Sequence, residues 1–175
     1  FPTSTIGVEF VSLVRTVDNV RFKYNIWDTA GQEKYRSITQ SFFKNAGIAV
    51  LFFDLTNYRS FQSLPRWMDD IKTYCPDNVT ILLVGNKSDL VYKRQVQQRD
   101  IDYFINKYGI DYVEMSARTG KSLECILFNP AGIILDKIQN KKIPIESIPG
   151  LRINQYIEIK PERLSPSLCS RCTLM

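Results

Sequence analysis

The spacing of apolar residues changes several times along this chain, and each change marks an element. Val8, Phe10, Ser12 and Val14 alternate with polar neighbours, and so do Val20, Phe22, Tyr24 and Ile26. A period of two reads as a strand, and Asp18-Asn19 between the runs makes the pair a β-hairpin. From residue 28 to residue 45 the chain is mostly polar and shows no clean period. Residues 48–53 (IAVLFF) are continuously apolar, the pattern of a strand buried on both faces of a parallel sheet. Phe61, Leu64, Trp67, Met68 and Ile71 recur at helical spacing. Residues 79–84 (VTILLV) form a second run of the buried-strand type. Residues 96–108 predict a helix closed by Gly109, and residues 111–115 a short strand. Residues 122–138 predict a last helix. Pro130 and Gly132 are expected to kink or shorten it, since an interior proline costs about 3 kcal/mol and a glycine about 1.

A hairpin followed by β-α-β-α-β-α predicts an α/β fold, a sheet with helices on both faces. From about residue 141 the chain turns to proline, serine and charge, with Pro144, Pro149, Pro161 and Pro166. That composition reads as a flexible tail. The expected organisation is therefore one domain over residues 1–140 and a tail over residues 141–175.

Composition narrows the chemistry. The 175 residues are 44% hydrophobic and 23% charged, as in an ordinary soluble globular protein. No apolar run approaches the roughly 18 residues that a membrane-spanning helix needs. There is no histidine. That excludes Ser/His and Cys/His triads and every His-ligated metal site. Four cysteines are too few for a disulfide scaffold. Cys75 and Cys125 fall in apolar or helical surroundings and read as inert thiols. The net charge is +5, but no block of five or more like charges occurs, so nucleic acid is not an expected partner.

In a sheet of this type, ligands bind beyond the carboxyl ends of the strands. Three loops there carry candidate chemistry. After the second hairpin strand comes Asp28-Thr29-Ala30-Gly31-Gln32. An acid at a strand end can hold Mg²⁺ through water, a glycine lets a backbone N–H approach a phosphate, and a glutamine can position water. The plain alternative is an ordinary strand-end turn. After the strand at 79–84 comes Gly85-Asn86-Lys87-Ser88-Asp89. A buried carboxylate can accept from the N1–H and N2–H₂ edge of guanine, whereas adenine would leave the charge unpaired. The lysine stem can pack over a base, and Asn86 can tie neighbouring loops together. The alternative is a hydrophilic βα loop. After the next strand comes Ser116-Ala117-Arg118, where a backbone N–H can face the guanine O6.

Each loop is weak evidence alone. DTAGQ, NKSD and SAR after three successive strands, in that order, are specific. With them the chain resembles the Ras superfamily of small GTPases, and within it the Rab family. Further Rab-like segments are IGVEF at 6–10, Ile26-Trp27, KYRSIT at 34–39, FFKNA at 42–46 and LFFDLT at 51–56. The resemblance covers about residues 1–140. It implies a P-loop NTPase fold, binding of GTP and GDP with Mg²⁺, and GTP hydrolysis. By position, Thr5 and Asp28 would serve the metal, Gly31 the γ-phosphate, and Gln32 the hydrolytic water. Asn86, Lys87 and Asp89 would read guanine, with Ser116, Ala117 and Arg118 completing the base pocket; Arg118 stands where the family usually has lysine. Phe10, Trp27 and Phe42 match the hydrophobic triad that effectors read, although plain core packing would also explain three aromatics.

One family element is not found. No G-x-x-x-x-G-K-[ST] occurs, and Gly120-Lys121-Ser122 is a decoy because Met115 stands where the first glycine belongs. The resemblance thus implies a chain truncated at its N-terminus, without the first strand, P-loop and first helix. Such a chain is expected to bind GTP weakly or not at all, and a pseudo-GTPase that serves only as an interaction module is the alternative. The final Cys172-Thr173-Leu174-Met175 fits C-a-a-X, and Cys169 is placed for a second lipid. A redox or zinc pair is the other reading of these two cysteines. Taken with the resemblance, this predicts a prenylated lipoprotein in vesicle-mediated protein transport. It would be a monomer, cytoplasmic and held on the cytosolic face of endomembranes. Its partners would be effectors, exchange factors and GTPase-activating proteins.

Overall fold

The computed structural model describes residues 5–31, 36–141 and 144. Gln32, Cys169, Cys172 and the rest of the expected tail, apart from residues 141 and 144, lie outside the described residues. The chain opens with strands β1 (Val8–Val17) and β2 (Val20–Thr29), antiparallel, with Leu13 opposite Tyr24. Asp18 and Asn19 join them with φ of 47° and 63°, the left-handed pair that a two-residue hairpin turn of matching twist requires. Residues directly opposite one another share a face. The face that carries Leu13, Val17, Phe22 and Tyr24 packs inward, while Phe10 and Val14 look outward.

Helix α1 (Arg36–Phe43) lies in the stretch where the sequence shows no period. Strand β3 (Ile48–Asp54) follows, then helices α2 (Tyr58–Gln62) and α3 (Leu64–Tyr74). The helical spacing read across residues 61–71 is thus divided between two helices, with Pro65 in the first turn of α3, where a missing N–H leaves no bond unmade. Strand β4 (Thr80–Asn86), a 3₁₀ turn (Val91–Lys93), helix α4 (Gln98–Tyr108), strand β5 (Asp111–Glu114) and helix α5 (Cys125–Lys141) complete the order. Gly109 closes α4 in the left-handed conformation, φ 64°, as expected.

Strands β3, β4 and β5 form a parallel three-stranded sheet with β4 in the middle. One face packs on α2, α3 and α4 through Phe53, Leu83, Phe61, Met68 and Phe104. The other packs on α5 through Leu82, Val84, Val113, Cys125 and Ile126. Helices therefore cover both faces, as the pattern predicts. Leu82, Leu83 and Val84 are wholly buried. Strand β3 departs from the expectation of burial on both faces, because Phe52 is 53% exposed. Among the described residues no strand is hydrogen-bonded to the outer edge of β3, and the hairpin forms its own sheet.

Helix α5 joins the two sheets. Beyond its contacts with β4, it buries Ala131 and Leu135 against Val17 and Tyr24 of the hairpin, with Ile48 of β3 in the same cluster. The Tyr24 hydroxyl donates to the Leu127 carbonyl at 2.9 Å, and burial pushes its pKa up to about 12, so it stays a donor. The expected shortening of the last helix does not occur: α5 runs unbroken through Pro130. Pro130 is itself buried beside Ala131, and packing on both sheets outweighs its lost backbone bond.

Gly132 is not needed for close approach, since a Cβ there would meet nothing within 4 Å. Gly132→Ala is accordingly expected to stabilise the fold by about 1 kcal/mol, raising Tm by roughly 2–4 °C. Thermal unfolding followed by circular dichroism checks this, and an unchanged or lower Tm counts against it.

Candidate functional site

The parallel register of β4 brings three strand ends together. Asp54 of β3 pairs with Asn86 of β4, and Gly85 of β4 with Glu114 of β5. These ends and the loops that leave them hold the residues expected to read guanine: Asn86, Lys87, Asp89, Ser116, Ala117 and Arg118.

Asn86 ties two of them. Its Oδ1 accepts from the Lys87 N–H at 2.7 Å and from the Ala117 N–H at 3.1 Å. One of the backbone N–H groups expected to face a base is therefore bonded to Asn86. Ser116 is fully buried, and its hydroxyl donates to Asp89 Oδ1 at 2.6 Å. Two backbone bonds lock the same turns: Met115 N–H to the Gly85 carbonyl at 2.9 Å, and Ser88 N–H to the Met115 carbonyl at 3.0 Å. Asn86, Asp89, Ser116 and Ala117 thus form one hydrogen-bonded unit. Asp89 is half-buried, not buried as the sequence reading expects. The Ser116 hydroxyl, with the nearby charges of Arg118 and Lys87, holds its carboxyl below the usual carboxylate range, so it is ionised at neutral pH.

Lys87 takes the left-handed conformation at φ 67°. Its Nζ lies 2.6 Å from Asp54 Oδ2. The other Asp54 oxygen accepts from the Thr56 N–H at 2.8 Å and the Thr56 hydroxyl at 2.7 Å. Burial alone would raise the Asp54 pKa, but the bonds from Lys87 and Thr56 outweigh it and hold the pKa below its ordinary 3.8. Asp54 was not among the residues singled out from the sequence. The signal was an acid ending a strand, but only the β3–β4 register places it beside Lys87. Ser88 is a second such residue: its Oγ is buried and has no hydrogen-bond partner among the described residues.

A separate cluster forms at the open end of the hairpin. The Thr5 hydroxyl donates to Asp28 Oδ2 at 2.9 Å, so the two metal candidates meet. The Ala30 N–H donates to the Gly7 carbonyl at 2.9 Å, tying the DTAG turn to the start of β1. Gly31 is exposed and has open space around it. Among the described residues no group of three or more His, Cys, Asp or Glu side chains could hold a metal alone.

Phe10, Trp27 and Phe42 stack in sequence, with ring centroids 4.5 and 4.7 Å apart. Phe10 is 52% and Trp27 47% exposed, so the stack lies on the surface and is not core packing. The two described cysteines, Cys75 and Cys125, are buried and free of disulfides, and burial pushes the Cys75 thiol up to about 11, which leaves it unreactive.

A model of the Ras family matches residues 2–135. Human Ras-related protein Rab-37 is 34% identical over 162 residues, covering 93% of this chain and 71% of its own length. The chain belongs to the Ras family. Its parallel sheet with helices on both faces is the small-GTPase fold, and within the superfamily its likeness is to the Rab group. Members of this family generally bind GTP or GDP with Mg²⁺. No described helix is long and apolar enough to cross a membrane.

Two measurements probe this loop cluster of the Ras-family chain. Ser88→Ala removes a desolvated hydroxyl and is expected to raise stability in urea by up to about 1 kcal/mol. A loss of that size would mean the hydroxyl has a partner. Because the Asp54 pKa is depressed on folding, its contribution is complete above pH 3.8 and is lost as pH falls through the folded value. The pair with Lys87 is partly exposed, so the contribution is below about 1 kcal/mol. Asp54→Asn is expected to lower stability at pH 7 and to match the parent near pH 2; equal stabilities at both pH values would remove Asp54 from the account.

Proposed function

We propose that this chain carries the guanine-reading part of a Rab-type guanine-nucleotide switch, which acts in intracellular vesicle trafficking; its 175 residues contain no G-x-x-x-x-G-K-[ST], so tight GTP binding by them alone is not part of the proposal. The observation that carries the reading is the hydrogen-bonded unit of Asn86, Asp89, Ser116 and Ala117 at the ends of two adjacent parallel strands. Ionised Asp89 has the acceptors for the paired donors of guanine. Ser116 occupies one of its oxygens and fixes the direction of the other. Adenine offers no such donor pair, so its binding would leave the carboxylate unpaired. The Lys87 and Arg118 stems would flank the base. Asn86 holds the two loops at a fixed spacing, so the pocket is formed before the ligand arrives.

The residues at the hairpin end fit Mg²⁺ shared with a nucleotide. Thr5 and Asp28 offer two hard oxygen donors, too few for a cage and suited to an ion that keeps phosphate and water ligands. When bound, that ion would offset charge on the phosphates. Gly31 is exposed and has no side chain, so its N–H can approach a phosphate oxygen, and Gln32 would orient the water for hydrolysis. The exposed Phe10–Trp27–Phe42 stack supports recognition by effectors, with exchange factors and GTPase-activating proteins as the other partners. Cys172, with Cys169 as the site of a second lipid, would anchor the protein to the cytosolic face of endomembranes.

The test is a ¹⁵N NMR titration of the 175-residue chain with guanosine and with adenosine. Guanosine is expected to shift the Asp89, Ser116 and Ala117 amides, and adenosine to leave them in place. Asp89→Ala is expected to weaken guanosine by about 100-fold or more, since two charge-assisted bonds are lost at once. Equal responses to both nucleosides, or none to either, refute the reading.

A further inference from the structure

Behind the base loops lies a second polar cluster, made by Arg94, Tyr112 and Glu114. The Arg94 guanidinium meets Glu114 as a fork, Nη2 to Oε1 at 2.8 Å and Nη1 to Oε2 at 3.1 Å. The Tyr112 hydroxyl donates to Glu114 Oε1 at 2.8 Å. Burial, reinforced by the Glu114 charge, raises the Tyr112 pKa, so the hydroxyl remains a donor. The Arg94 and Glu114 side chains are only 29% and 27% exposed. Two further bonds set the guanidinium plane: Nε to the Val96 carbonyl at 2.8 Å and Nη2 to Gln98 Oε1 at 3.3 Å.

The position of this cluster gives it a task. Arg94 ends the segment that leaves Asp89, passes the 3₁₀ turn and returns to the domain. Next to it, the Gln95 and Val96 N–H groups donate to the Leu55 carbonyl, and the Leu55 N–H donates to the Asn86 carbonyl. Glu114 is the last residue of β5, directly before Met115 and the Ser116-Ala117 turn. It is also the register partner of Gly85, directly before Asn86. A Cβ on Gly85 would lie 2.7 Å from the Tyr112 hydroxyl oxygen, so the missing side chain makes the slot in which that hydroxyl sits. The ion pair therefore fastens the far end of the NKSD loop to the strand that carries the SAR turn.

We propose that Arg94, Glu114 and Tyr112 are positioning residues for guanine recognition, holding the Asn86–Asp89 loop and the Ser116-Ala117 turn at the spacing a base requires. The inference rests on the guanine reading of the site. It differs from a purely stabilising ion pair in where the damage falls. A two-point guanidinium fork fixes direction as well as distance, and a lysine at the same place supplies only a point charge.

The test compares the parent chain with Glu114→Gln, Arg94→Lys and Tyr112→Phe. Amide hydrogen exchange is read in ligand-free protein, and guanosine affinity by the NMR titration. Expected in Glu114→Gln is exchange about tenfold faster at residues 90–96 and 116–119 than in the parent, with β3 and α5 unchanged, and guanosine weakened about tenfold. Arg94→Lys is expected to fall between the two. If Glu114→Gln does not fold, Tyr112→Phe keeps the ring and carries the same readouts. Exchange that rises uniformly over the chain, or unchanged guanosine affinity in a variant with loosened loops, overturns the proposal. If the parent chain ignores guanosine, the reading of the base site fails. Exchange alone then judges the brace: a rise confined to the two loops supports it, and a uniform rise overturns it.

Discussion

The parallel pairing of β4 with a strand on each side is the constraint on which the rest depends. A strand buried on both faces has no freedom to slip, because a shift of one residue would exchange the two buried faces. Leu82 and Val84 belong to the α5 side, and Leu83 to the α3–α4 side. With that register fixed, Asp54, Asn86 and Glu114 arrive at one end of the sheet together. The candidate site arises largely because three polar strand ends meet there: carboxylates find a lysine, an arginine and N–H groups within bonding distance.

The second constraint is α5. Among the described residues the hairpin shares no strand hydrogen bond with the three-stranded sheet. The two are joined by apolar contacts of Ala131 and Leu135 and by the bond from Tyr24 to Leu127. A helix that packs on two sheets at once can tolerate an interior proline. Its helical state is held by tertiary burial more than by its own backbone bonds.

Much of this was legible in the sequence, and the failures have physical causes. The hairpin, the buried strand β4 and the glycine-closed α4 follow from local rules of period and turn chemistry. So do DTAGQ, NKSD and SAR, whose spacing after strands carried the resemblance. Helix α1 was not legible, because its eight residues carry only Ile38, Phe42 and Phe43 as apolar positions, too few to set a clear period. The exposure of Phe52 was not legible either: an apolar run says that a strand favours burial, not whether both of its faces have neighbours. Asp54 and Glu114 escaped notice because each acquires its partner across the sheet. Residues 54 and 87, or 94 and 114, are unrelated until the register is known.

Lys87 shows how these levels combine at one residue. A non-glycine residue in the left-handed region is strained by roughly 1 kcal/mol or more. Here the conformation is held by a bond at each end: the Asn86 side chain accepts from the Lys87 N–H, and Asp54 holds the Lys87 Nζ. A helical or extended residue would point its stem elsewhere and break the short local bond to Asn86. Asn86 in turn is fixed by the Ala117 N–H from the neighbouring loop. The strain therefore has a structural source, the closure of two loops on one amide oxygen. Its consequence is a lysine whose Nζ is held at Asp54 and whose charge stays near Asp89. An asparagine followed by a lysine is a common dipeptide; what makes this one informative is that two loops closing on Asn86 hold a conformation that isolated chains avoid.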